Sequence, residues 1–488
     1  MAYTFKHALI RDAAYQSLLK GRRQQLHARI AGVLEAQAAE TVEPELLAYH
    51  LTEAGATEQA VDYWLKAGQR SMQHSAHIEA ERHLRKGLEL LAGLPETASR
   101  FRREITLQNT LGVCLMPTRG LGNPEVAAAF ARGAELAERS DDARGLFVAL
   151  RGKGQYHFIS GDLKASRDDT QRVMALAERM GDHDCLLEAH HLGWGALCFT
   201  GEFAAAQRHV EEGIACYQRE RDHHLTYTYS GHDPGACGRG FGALILGQLG
   251  YAERAQALAD DALALAEALA HPFTLAIALQ LVAYLHLLLR EPDAVRAIGE
   301  RIIRYSTDTG LRPMVSVGKG FRGDALTHQG ETVEGIAELR EALAELRGMS
   351  WLVATPSWFA ALADALARSG KTDEGLAVVE EGLKMAEASG DGFNLPEIHR
   401  VKGRLLLDRS AANRDSAAAA YREAIDIAQA QQARLLELRA ATSLARLWGE
   451  NGRRDAARVM LAPVYQWFTE GFDKPDLSDA KALLDELA

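Results

Sequence analysis

The sequence predicts an all-α fold, a superhelical solenoid of antiparallel helical hairpins, and three observations carry that prediction. A turn glycine recurs at Gly55, Gly161, Gly201, Gly250, Gly330, Gly370 and Gly452, and five residues after each stands a small residue: Ala60, Ser166, Ala206, Ala255, Gly335, Gly375 and Ala457. Seven before it stand Ala48, Gly154, Ala243, Gly323, Ala363 and Ala445, with Trp194 the bulky exception. Glycine ends a helix by adopting a left-handed conformation, and small residues let two helix backbones approach closely. Second, the spacing of these glycines gives a period of about 40 residues, and a hairpin that cannot bury its own apolar face must stack on its neighbours. Third, no segment alternates β-branched residues at period two, whereas Val333, Ile336, Leu339, Leu343 and Leu346 recur at helical spacing.

The elements follow in order. Residues 1–40 predict two helices, one with Phe5, Leu9, Ala13 and Leu18 on a face and a second from Arg22 with Leu26, Ile30 and Leu34. They read as a helical connector that starts inside a domain. Residues 41–141 predict irregular helical repeats, with Pro124 opening a helix after the PTRGLG stretch. Residues 142–474 predict the regular array, including two slots without glycine, near Arg290 and near Ser410. Residues 475–488 predict a capping helix. The longest apolar run, residues 274–289, contains Gln280 and His286, is too short to span a bilayer comfortably, and falls where a repeat helix is due. It predicts a buried helix and no membrane span.

A formal net charge of −11 disfavours nucleic acid. Five cysteines without a CxxC pair, and the absence of a secretory signal, predict a reducing cytoplasm. His183, Cys185, His190, His191, Cys198, His223, His224, His232 and Cys237 are dense, yet no HxxxH or CxxC spacing pairs two ligands, so no metal or cofactor is expected. Ser369 to Thr372 resemble the end of a phosphate loop, but a repeat turn accounts for them and no strand precedes. Gly238, Gly240 and Gly242 read as close helix packing, not as a dinucleotide site. No nucleophile elbow is present, so the chain reads as non-catalytic, with no catalytic residue assigned.

Two places predict contact with a partner. If the first helix of each hairpin lines the concave groove, residues ten and six before the turn glycine face a ligand: Arg151, Gln155, His191, Asp324, Asp364, Thr442 and Arg446. Their mixed charge suits a polar protein or peptide, and simple solvation of the groove is the competing reading. The step from Gly201 to Gly250 is too long for one repeat, and the surplus lies in RERDHHLTYTYSGHDPGA, residues 219–236. His224, Tyr227, His232 and Asp233 are the contact candidates of that loop, against an ordered excursion with a turn at Asp233, Pro234 and Gly235.

The hairpin code resembles the tetratricopeptide repeat. FKHALIRDAAYQSLL with RRQQLHARIAGVLE, the PELLAYHLTEAG and EQAVDYWLKAGQRS stretches, HDPGA, and residues 436–487 are together similar to the C-terminal repeat region of bacterial signalling ATPases of the STAND-like class and of class III adenylate or guanylate cyclase multidomain proteins. The resemblance implies a regulatory half that senses a partner and transmits the event through residues 5–35 to an ATPase or cyclase module. The cyclase and P-loop domains of such relatives are absent from this sequence, so their activity does not transfer. A free-standing adaptor and an enzyme or small-ligand binder using residues 219–236 are the alternatives. The first of the three predicts an uncovered apolar face at Phe5, Leu9 and Tyr15, the last a pocket where His224, His232 and Asp233 converge.

Overall fold

A computed structural model describes residues 15–36 and 43–488. Phe5, Leu9 and Ala13 lie outside them. Among the described residues every regular element is a helix. The seven turn glycines all adopt the left-handed backbone, from φ +76° at Gly452 to +95° at Gly330. In the repeats the residue after the glycine donates its N–H to the carbonyl five residues before itself, as in Asp162 to His157 (2.9 Å), Glu202 to Leu197 (2.9 Å), Glu331 to Leu326 (2.9 Å) and Lys371 to Leu366 (2.9 Å). This closes the helix end that would otherwise leave carbonyls bare. Arg290 fills its slot with φ +60°, a left-handed residue that is not glycine. Ser410 is extended instead, and a short 3-10 turn, Ala411–Asn413, makes the reversal.

The described residues form two compact units, one running to Leu115 and including Ala128–Ala149, the other of Met116–Ala127 with Leu150–Ala488. In the first, helices Lys20–Glu35, Pro44–Ala54, Thr57–Gln73 and His77–Ala92 follow one another, and Ala31, Leu47, Leu51 and Ala60 form a core with Leu34, Tyr63 and Trp64 around it. A second core joins Ile105, Leu136 and Ala137 to Phe101 and Leu146. Helix Ala98–Arg119 carries Pro117 in its last turn, next to the boundary between the units.

The second unit is the array. Its hairpins pair the later part of helix Ala143–Ile159, from Leu150 on, with Leu163–Met180, His183–Phe199 with Phe203–Cys216, Pro234–Gln248 with Ala252–Leu269, Pro272–Leu288 with Pro292–Asp308, Arg312–His328 with Thr332–Gly348, Thr355–Arg368 with Thr372–Ser389, Leu395–Arg409 with Arg414–Gln431, and Arg434–Glu450 with Arg454–Gln466. Helix Pro475–Leu487 follows. The paired small residues touch through backbone: a Cβ at Gly335 would lie 2.5 Å from the Gly323 carbonyl oxygen, and Ser166 donates to the Gly154 carbonyl at 3.1 Å. Gly238, Gly240 and Gly242 give room to Trp194, Leu281 and Leu258 respectively. Helix Pro272–Leu288 is buried nearly all round, and no helix of the described residues is long and apolar enough to cross a membrane.

The array coils far enough for its second turn to seat on its first. Leu352 and Val353 donate N–H groups to the Ile159 carbonyl (2.8 and 3.1 Å), and Gly392 and Phe393 do the same to Phe199 (2.9 and 3.1 Å), each about five repeats along the chain. Further round, the Glu253 N–H donates to Glu470 (2.9 Å), Trp467 and Phe468 close on Gly250, and Arg439 donates to the Leu288 carbonyl (2.6 Å). Tips of early hairpins thus meet junctions of late ones along one seam. Phe199, Phe393, Tyr284, Phe321 and Trp358 pack ring to ring inside it.

Candidate functional site

The seam encloses a chamber of about 470 Å³ within the second unit. It is lined by the first helices of the later hairpins and by helix Pro475–Leu487. Asp324, Asp364 and Arg446 all occupy the position six before a turn, and Thr442 the position ten before; all four line the chamber. The same offsets from Ser410 give Arg404 and Arg400, and from Arg290 give Tyr284, which also face it. Those three carry no glycine mark at their turn, so only the extrapolated register could have found them.

Its wall is a web of ion pairs. Asp364 is held between Arg404 (2.5 Å) and Arg368 (3.0 Å), and Glu397 accepts two bonds from Arg400 (2.9 and 2.7 Å). Asp476 accepts from Arg439 (2.6 Å) and Arg290 (3.0 Å). Burial alone would raise the Glu397 carboxyl, yet the Arg400 and Arg439 guanidiniums overcome it and hold it down at about 2. Asp324 has no such partner: its nearest is His328 at 3.8 Å, and burial lifts its carboxyl to about 7 against the pull of Arg368. Arg368 donates to His328 Nδ1 (2.8 Å), so that nitrogen carries the lone pair, and burial with the Arg368 charge presses the imidazole down to about 4. Arg446 is exposed to the chamber and makes no ion pair among the described residues. The chamber therefore offers one free guanidinium beside a ring of satisfied ones, and a carboxyl poised between protonated and ionised.

Arg151, Gln155 and His191 lie elsewhere. Arg151 is 0% exposed; its Nε donates to Glu188 (3.0 Å) and another nitrogen to Gln155 (2.8 Å). The structure brings these residues to a packed interior where neither a protein nor a peptide reaches them, so the groove that the repeat register predicts divides into a filled half and an open half. The physical reason is that Arg151, Glu188, His191 and His232 pack on one another in a hydrogen-bonded chain, and that Trp351 and Val353 of the seam stand opposite Gln155.

The loop of residues 219–236 is likewise split. His224 is exposed and Tyr227 half-buried, whereas His232 and Asp233 are buried, so the four do not converge on a pocket. Asp233 caps helix Pro234–Gln248 by accepting from the Ala236 N–H (3.0 Å), and also takes the Tyr217 hydroxyl (3.1 Å) and meets His223 Nδ1 (3.0 Å). His232 instead meets His191, Nε2 to Nε2 at 3.1 Å, with Cys237 beside them. Spacing rules for metal ligands miss this group because its members come from two helices and a loop, one repeat apart.

No family model matches the chain. An uncharacterized protein of Rhizobium meliloti (strain 1021) is 25% identical over 450 residues, covering 91% of this chain and 43% of that protein. The chain thus spans less than half the length of this curated relative. Among solved structures, a Rap protein complexed with Competence and Sporulation Factor is similar with a TM-score of 0.53 and 12% identity, over 79% of this chain and 99% of that one. The APC/C heterotetramer Cut9–Hcn1 gives 0.51 and 12%, over 94% and 86%. At such identities the likeness shows the fold, a helical solenoid of tetratricopeptide type.

Proposed function

We propose that the chain is a non-catalytic scaffold or sensor of the cytoplasm that binds a protein or peptide segment, and that the segment seats in the charged chamber. The carrying observation is Arg446, an unpaired guanidinium facing a 470 Å³ space whose other arginines are already matched by carboxylates. An exposed cation without a partner in the wall favours an incoming carboxylate, from an acidic side chain or a chain terminus. Ligand sites of comparable volume are on the order of 300–1,000 Å³. That a Rap protein of similar fold is complexed with Competence and Sporulation Factor supports a binding role for this chain.

The test is selection of binders from a random-peptide display library on the purified chain, then repeated on Arg446→Glu. We expect acidic peptides to be enriched by the wild type and to lose at least tenfold in affinity on the variant. Enrichment that ignores Arg446→Glu would sink the chamber as the seat.

A second reading concerns the first unit. Leu19 (83% exposed), Val33 (62%) and Ile78 (77%) stand bare, with Leu46 and Tyr49 half-exposed near them in sequence. We propose that these helices dock on a further module, of the ATPase or cyclase kind that the sequence resemblance implies. A relative more than twice as long supports it. Replacing Leu19 and Val33 by Ser should abolish co-purification with that module when the two are produced together, and leave peptide binding intact.

A further inference from the structure

We infer that His191, His232 and Cys237 form a binding site for one late first-row transition-metal ion, zinc by preference. Their ligating atoms lie within 4.8 Å of one another, and all three side chains are buried. The hydrogen bonds around them fix the tautomers. His232 Nδ1 faces the Ser230 carbonyl at 3.0 Å, and a carbonyl only accepts, so that nitrogen carries the hydrogen and Nε2 the lone pair. His191 Nδ1 faces Glu188 Oε2 at 3.2 Å, and the same oxygen accepts from Arg151 Nε at 3.0 Å, which keeps the carboxylate an acceptor. His191 Nε2 then also carries a lone pair.

Two imidazole lone pairs 3.1 Å apart repel each other unless a cation lies against both. A carboxylate or carbonyl on the far nitrogen of each ligating histidine is how protein metal sites orient their imidazoles. The third donor, Cys237 Sγ, adds the soft sulfur that together with two nitrogens suits zinc, copper or cobalt and not magnesium or calcium. A mostly apolar cavity of about 40 Å³, whose lining includes His232 and Cys237 with the polar side chains of Gln155 and Gln280, adjoins the ligands and is large enough for one water as fourth ligand. On binding, the thiol proton of Cys237 leaves to solvent and the sulfur coordinates as thiolate. The ion would tie the excursion of residues 219–236 to helix His183–Phe199.

The full chain, stripped with a chelator and titrated with Co²⁺, is the test. One equivalent should bring up thiolate-to-cobalt charge-transfer absorption, and Zn²⁺ should displace it. Cys237→Ser should remove that band, His232→Ala should weaken cobalt binding at least tenfold, and Glu188→Gln, which touches no metal, should weaken it about 10- to 100-fold. Circular dichroism identifies any variant that fails to fold, and for such a case Cys237→Ala provides the second substitution. Nitrogen-resolved NMR of the stripped wild type is independent of all variants: Nδ1–H on both rings is expected. A proton on Nε2 of His191 in place of Nδ1 would mean that Glu188 is protonated and donates to Nδ1, and that the two histidines share an ordinary hydrogen bond. That result, the absence of cobalt uptake, or a band that survives Cys237→Ser, overturns the site.

Discussion

Single atoms decide how closely the hairpins pack. At Gly335 a methyl group would meet the Gly323 carbonyl oxygen at 2.5 Å and Thr327 Cγ2 at the same distance, so two backbones must part. Gly335→Ala should cost about 1–3 kcal/mol by overpacking. Gly330→Ala meets nothing within 4 Å and bears only the strain of a left-handed backbone, about 1 kcal/mol. Urea midpoints of the two variants check the order, and a milder Gly335→Ala would count against backbone contact. Asp324 makes a prediction about pH. Its raised carboxyl takes up a proton in the folded state as pH falls from about 7 toward its unfolded value near 3.9, which adds stability on the way down. His328, lowered to about 4, does the opposite, because only the unfolded chain protonates readily below pH 6.5. Asp324→Asn removes the compensating term. Its stability should therefore drop more steeply than that of the wild type between pH 6.5 and 4.5, read by denaturation at both ends.

The hairpins themselves were legible, because their code is local. Gly161 and its six counterparts marked turns whose dihedrals are left-handed, and the small residues around them are the points of closest contact. The joints between hairpins were less so: Asp141, Ala270, Ser350 and Gln432 turn left-handed without glycine, held by neighbours that a pattern search does not see. The long loop was visible as a surplus of residues, but its division into an exposed His224 and a buried Asp233 depends on Tyr217, His223 and Thr274, the last of which belongs to the next repeat. Asp233→Ala should cost about 2 kcal/mol through the lost cap and the partners left bare, and Asp233→Asn clearly less. Thermal unfolding of the two variants tests this. The metal group was illegible for a similar reason, since His191 and His232 stand 41 residues apart and neither lies in a ligand-like spacing.

Across the second unit, the seam controls what the repeats expose. It leaves Arg446 open while Gln155, which holds the equivalent position six before its own turn, is buried opposite Trp351 and Val353, a distinction no single repeat encodes. Gly392 is a point where backbone meets backbone across it, since a Cβ there would lie 2.6 Å from the Thr200 carbonyl oxygen. Gly392→Val should pry the turns apart there. The amides of Leu352, Val353 and Phe393 should then exchange hydrogen at least tenfold faster, while those in the middle of helix Thr332–Gly348 keep their protection. Uniform protection in the variant would show that the seam contributes little. An open array can gain or lose a forty-residue unit by duplication or excision and remain a serviceable array. Here the carbonyls of Ile159 and Phe199 each wait for one particular junction, like a thread cut for one pitch. Removing or adding a unit between them would bring the wrong junction to every mate at once, so this coil has a fixed length that it cannot change in single steps.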